Sequence, residues 1–174
     1  MQAYDALTFD SAKSGSVAAP LIEDGFQRAK LMQQAIVAKA TMIMEKDMGT
    51  FHGQFRSLVL DSMSENDNNL FTQPLALARL ARFIVKARMA QGDWMGRGKK
   101  KPLIMFALDE RASTYLVVGV PVGDNASLLP MAFKYAAYEC GADVKFNSFD
   151  HSVAELPKTS LQEFKMALYS VFAD

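Results

Sequence analysis

The chain has 174 residues, half of them apolar and 22% charged, and its 19 basic and 19 acidic side chains leave no net charge. That balance suffices for one sizeable core and excludes a disordered chain, while a lone cysteine, Cys140, excludes an intramolecular disulfide framework. No apolar run reaches the roughly 20 residues that span a bilayer and no basic-then-apolar leader opens the sequence, which predicts a soluble, unsecreted, cytoplasmic protein without a membrane partner.

Residues 1–19 carry no hydrophobic period and read as an irregular arm that Tyr4, Leu7 and Phe9 anchor. From Pro20 to about Glu45, Ile22, Phe26, Ala29, Met32, Ile36, Ala40 and Ile43 recur every three or four residues, the stripe of a helix. Such a helix is on the order of 37 Å long, more than a small domain is wide, so part of it is expected to pack on another copy of the chain. Phe51, Phe55, Leu58, Val59 and Met63 predict a second, shorter helix that ends in a polar loop, SENDNN. Thr72 offers an N-cap and Pro74 a first-turn proline for a third helix reaching Gly92. On it Arg79, Arg82 and Lys86 share one side, while Leu77, Leu80 and Ile84 point elsewhere.

Past the Trp94 loop, LIMFAL and TYLVVGVPV around the turn DERA predict an antiparallel hairpin. Asn125, which also falls in a glycosylation sequon, reads as the cap of a helix ending at Gly141. Val144, Phe146 and Phe149 predict a third strand, and Ser160 with Glu163 has the spacing of a capping box opening the last helix. The sequence therefore predicts an α+β fold. A helical half, about 20–91, with two to three helices of which one is long, precedes a small, mostly antiparallel sheet in ββαβα order, about 102–174, the whole of 20–174 forming one domain.

Charge is unevenly placed: residues 1–71 sum to −3, residues 72–101 to +7, residues 102–138 to −1 and residues 139–174 to −3. Within the basic block, WMGRGKKKP sets the only tryptophan among four cations and two glycines. Cations that neutralise phosphates release counterions, and an indole provides a face on which an unpaired base stacks for roughly 1–3 kcal/mol. Arg79, Arg82, Lys86, Trp94, Arg97, Lys99, Lys100 and Lys101 are accordingly the candidate contacts to nucleic acid.

Other chemistries find less support. His52 and His151 belong to no metal-ligand motif, and no zinc site is expected. Gly96-Arg97-Gly98-Lys99 fails the phosphate-loop spacing, since Asp93 stands where a glycine is required and Lys100 where a Ser or Thr is required. Cys140, Asp143, Asp150 and His151 make no recognisable catalytic set, and the single thiol sits at the end of an apolar helix. The sequence reading is thus a non-enzymatic, cofactor-free, homo-oligomeric protein that binds single-stranded DNA or RNA without strong sequence preference. Its rival is an assembly module whose long helix is the working surface, with the basic loop docking an acidic partner.

Overall fold

In a computed structural model of the chain, the described residues are 19–52, 55–92, 95–96, 99–123 and 128–173, with backbone alone for 19, 51–52, 95–96, 99–100 and 173. Residues 1–18 of the expected arm, the Asn125 cap, Trp94 and Arg97 lie outside them, and residue 19 belongs to the first helix. Elements follow in the order α1 (Ala19–Glu45), β1 (Thr50–His52), β2 (Phe55–Leu60), α2 (Glu65–Phe71), α3 (Pro74–Ala90), β3 (Met95–Gly96) and β4 (Lys99–Lys100). After these come β5 (Leu103–Asp109), β6 (Thr114–Val120), α4 (Leu128–Cys140), β7 (Lys145–Phe146), β8 (Val153–Pro157), a 3-10 turn (Lys158–Ser160) and α5 (Leu161–Ala173).

The α+β class holds, and the order within it is richer than ββαβα. Six strands form one sheet in the order β1-β2-β5-β6-β8-β7. Every pairing in it is antiparallel except β2 with β5, which runs parallel with Arg56 opposite Leu103 and Leu60 opposite Ala107. Strand β2 comes from a segment expected to be helical. Its apolar residues fit a helical spacing because both faces of the strand are covered: Leu58 and Leu60 join one core, Phe55 and Val59 the other. The expected third strand is two pieces, β7 and β8, and Phe149, offered as one of its residues, is 99% exposed between them.

The polar run read as a loop is helix α2. Ser64 caps it, its Oγ accepting from the amide of Asp67 at 3.2 Å, and Glu65 and Asp67 favour the positive end of the helix. Thr72 closes this helix instead of opening the next, its hydroxyl donating to the carbonyl of Asn68 at 2.7 Å. Helix α3 then starts at Pro74, where the missing amide proton is no loss, and stops as Gly92 takes φ +81.

Strands β5 and β6 are buried along nearly their whole length, so each offers apolar side chains to both sides. Leu103, Met105 and Ala107 with Leu116, Val118 and Val120 meet Ile36, Ala40 and Ile43 of α1 and Leu77, Leu80 and Ile84 of α3. On the opposite face Ile104, Phe106 and Leu108 with Tyr115 and Val117 meet Leu129 and Phe133 of α4 and Phe164 and Leu168 of α5. Aromatic contacts tighten this second core: Phe133 lies edge-on to Phe164 at 5.9 Å, and Phe55 stacks on Tyr169 at 5.2 Å.

The fit at Gly119 is close, since an added Cβ would stand 3.1 Å from Phe133 and 3.2 Å from Leu129, both fully buried. Gly119→Val should therefore lower stability by about 1–3 kcal/mol through overpacking, seen as a lower denaturant midpoint with unchanged slope. In the same core the Lys165 ammonium lies 5.2 Å from the Phe106 ring centre, and burial holds its pKa below that of a free lysine despite the opposing pull of Asp61. The folded state thus disfavours the charged form, a penalty that is relieved as pH rises from the folded value toward the free-lysine value. Burial raises Tyr115 and Tyr169, which work in the opposite direction once tyrosine ionises in the unfolded chain. Lys165→Met keeps the aliphatic packing, so unfolding of both chains between pH 7 and 10 should show the stability gain with pH to be smaller in the variant.

Candidate functional site

Helix α3 buries one side and presents the other. Ala76, Leu77, Leu80, Ala81, Ile84 and Val85 face the core, which turns Arg79, Arg82 and Lys86 outward as one exposed ridge. Gln33, Ile36 and Phe83 complete the walls of a shallow groove of about 270 Å³ beside these three cations. None of the three is ion-paired within the described residues. The other cations near this helix are committed: Lys39 is 8% exposed and pairs with Asp67 at 2.9 Å. Arg88 donates to the carbonyl of Met44 at 3.0 Å and to the Asp47 carboxylate at 2.9 Å, closing the C-terminal end of α1.

The structure divides the sequence-predicted site. Arg79, Arg82 and Lys86 come together as expected. Lys99 and Lys100 lie on a separate two-stranded ribbon, where Gly96 pairs with Lys99 and Met95 with Lys100. Lys101 departs from expectation: it is 8% exposed at the entry to β5, so its ammonium is not offered to a phosphate strand. The last lysine of the run 99–101 is thus turned into the body. Phe83, Gln33 and the α1 side of the groove were missed, because a groove between two helices far apart in sequence leaves no mark in either one.

Two of the residues weighed for catalysis, Cys140 and Asp150, make local contacts. The Cys140 thiol donates to the Ala137 carbonyl at 3.5 Å within its own helix. Asp150 holds the turn before β8, accepting from the amide of Ser152 at 3.0 Å, and the Asn147 side chain accepts from the amides of Phe149 and Asp150 at 2.9 and 3.1 Å. Among the described residues no group of three or more His, Cys, Asp or Glu is placed to hold a metal ion. No helix among them is long and apolar enough to cross a membrane.

Helix α1 supplies the second feature of the site. Its residues 36, 40 and 43 are buried, at 1, 0 and 2% exposure, whereas Phe26 on the same stripe is 66% exposed and almost every position from 20 to 31 faces solvent. The N-terminal half of the helix therefore extends beyond the body. A third feature is an apolar groove of about 420 Å³ between α4 and α5, lined by Leu128, Met131, Tyr135, Val171 and Phe172.

Comparison with known proteins gives a consistent result. The CDC45 family model matches residues 1–171. The chain is 28% identical over 160 residues to the cell division control protein 45 homolog of Dictyostelium discoideum, covering 90% of this chain and 23% of that one. It is 27% identical over 159 residues to cell division control protein 45 of Saccharomyces cerevisiae, covering 83% of this chain and 23% of that one. The crystal structure of CDC45 from Entamoeba histolytica superposes with a TM-score of 0.66 at 20% identity, covering 86% of this chain and 29% of that one. The chain thus spans about a quarter of the length of these relatives.

These matches overturn the expectation of a generic single-strand-binding protein that works as a homo-oligomer. The physical source of the error is that cations beside an aromatic ring fit acidic proteins as well as phosphates, and a protruding helix fits any partner helix, not a second copy alone.

The Lys39–Asp67 pair anchors α2 to α1 next to the groove. Asp67→Ala should leave a nearly buried ammonium without its carboxylate and cost about 3 kcal/mol, whereas Arg82→Ala on the exposed ridge should stay within about 0.5 kcal/mol in the same unfolding assay.

Proposed function

Because the chain belongs to the CDC45 family, we propose that it is a DNA replication initiation factor, or a portion of one. It acts without catalysis, as a docking component of the replicative helicase assembly beside the MCM helicase and GINS. The observation that carries this reading is the family match along residues 1–171, which takes in both helical layers and the whole sheet. The curated relatives carry the name cell division control protein 45, and the likeness in fold to a CDC45 crystal structure agrees with that lineage.

The surface supports docking over chemistry. Phe26, Leu31, Met131 and Tyr138 are 66, 63, 68 and 82% exposed, large apolar groups spread over two helices on opposite sides of the sheet. The apolar groove of about 420 Å³ between α4 and α5 and the bare seam of α1 are the surfaces on which other proteins would sit. A protein that scaffolds an assembly needs such faces and a rigid body to hold them, and the doubly covered sheet supplies the body.

Tagging the chain in the cells that make it, followed by cross-linking and mass spectrometry during DNA synthesis, tests the reading. Recovery of MCM and GINS subunits, together with arrest of DNA synthesis on depletion, is the expected result. Recovery of neither, with normal DNA synthesis after depletion, contradicts it.

A further inference from the structure

We propose that the bare N-terminal seam of α1, together with the groove that Gln33 and Ile36 form with the basic ridge of α3, docks an acidic amphipathic helix from a partner protein, an inference that takes the docking reading above to a specific surface. Ile22, Phe26, Ala29, Gln33, Ile36 and Ala40 alternate at spacings of four and three residues, which places them in one seam along α1. The C-terminal part of that seam is covered, with Ile36 and Ala40 at 1 and 0% exposure. The N-terminal part is bare because its cover ends: Arg79 lines the groove with Gln33 and Ile36, and α3 begins only five residues earlier at Pro74. A seam of this spacing is completed by another helix laid along it.

Charge selects which helix. Arg79, Arg82 and Lys86 border the groove, exposed and without ion pairs among the described residues, and they cover i, i+3 and i+7 of α3, about 10 Å of helix axis. A partner helix laid along α1 would place an apolar stretch on Ile22 and Phe26 and, farther along its axis, carboxylates at the same spacing beside Arg79, Arg82 and Lys86. Of the acids nearest the seam, Glu23 accepts from the Gln27 side chain at 2.9 Å, and two are paired with cations. Asp24 pairs with Arg28 at 2.7 Å and Asp67 with Lys39 at 2.9 Å.

Other occupants fit less well. A nucleic-acid strand would satisfy the cations and leave the aliphatic seam uncovered. A second copy packed about a two-fold axis would bring the same ridge near itself, cation toward cation.

The test uses the full chain and three fluorescent probes. One is a synthetic 21-residue helix with Leu along one seam and Glu beside it, the second its counterpart with Gln for every Glu, and the third a 20-nucleotide oligothymidine. The Glu peptide should bind about tenfold or more tightly than the Gln peptide, with affinity falling as salt is raised. Amide shifts in NMR should be confined to α1 and α3. Arg82→Glu and, separately, Phe26→Asp should each weaken binding about tenfold or more while circular dichroism and the unfolding midpoint stay unchanged, both residues being exposed. Equal affinity for the two peptides, binding of neither, shifts that map elsewhere, or displacement of the Glu peptide by equimolar oligothymidine overturns the proposal. A chain that recovers helicase subunits from cells yet ignores the Glu peptide refutes the groove and leaves the replication role standing. Loss of subunit recovery with intact peptide binding does the reverse.

Discussion

The hairpin of β5 and β6 buries nearly every side chain on both faces, and that single constraint organises the rest of the protein. A strand with apolar residues on both sides is stable only where the sheet is covered on both sides. The chain meets the requirement by sending α1 and α3 to one face and α4 and α5 to the other. Each large apolar side chain so covered contributes about 1.5–3 kcal/mol, which favours long, amphipathic covering helices over loops. Once those helices are pinned, their outward faces are fixed in space. The basic ridge of α3 and the uncovered half of α1 are consequences of how the inward faces fit the sheet.

Helix α1 illustrates the relation between packing and exposure. A segment of about a dozen residues with no tertiary cover is marginal as a helix in water. Here it continues a helix whose other half is packed, so nucleation is already accomplished. Side-chain contacts one turn apart, Arg28 with Asp24 at 2.7 Å and Gln27 with Glu23 at 2.9 Å, add a few tenths of a kcal/mol each. What the exposed half lacks is burial of its apolar seam. That deficit is the free energy available to a partner, and the neighbouring cations restrict which partner can collect it.

Much of the architecture was legible in the sequence, and the failures have physical causes. The bounds of α1, α3 and the β5–β6 hairpin could be read because a packed helix repeats every three or four residues and a doubly buried hairpin is a run of β-branched residues around a turn. Strand β2 was misread because burial on both sides erased its alternation. Helix α2 was misread as a loop because ENDNNLF is polar, although the Ser64 cap with an acid three residues on was present in the sequence. At the site, the ridge of Arg79, Arg82 and Lys86 followed from helical spacing alone. The burial of Lys101 did not, since adjacent lysines look alike until a strand turns one of them inward. The groove itself depends on which residues of α1 meet α3, a tertiary fact that neither segment encodes separately. Nor does any local pattern distinguish cations that meet phosphate from cations that meet carboxylate.

Hydrogen–deuterium exchange on α1, in the isolated chain and in the assembly purified from cells, tests most directly whether the protruding half is a protein-docking element. In the free chain, residues 20–31 should exchange fast and residues 36–45 slowly, and in the assembly the fast segment should become protected together with the exposed face of α3. Equal, rapid exchange of residues 20–31 in both states would contradict the account.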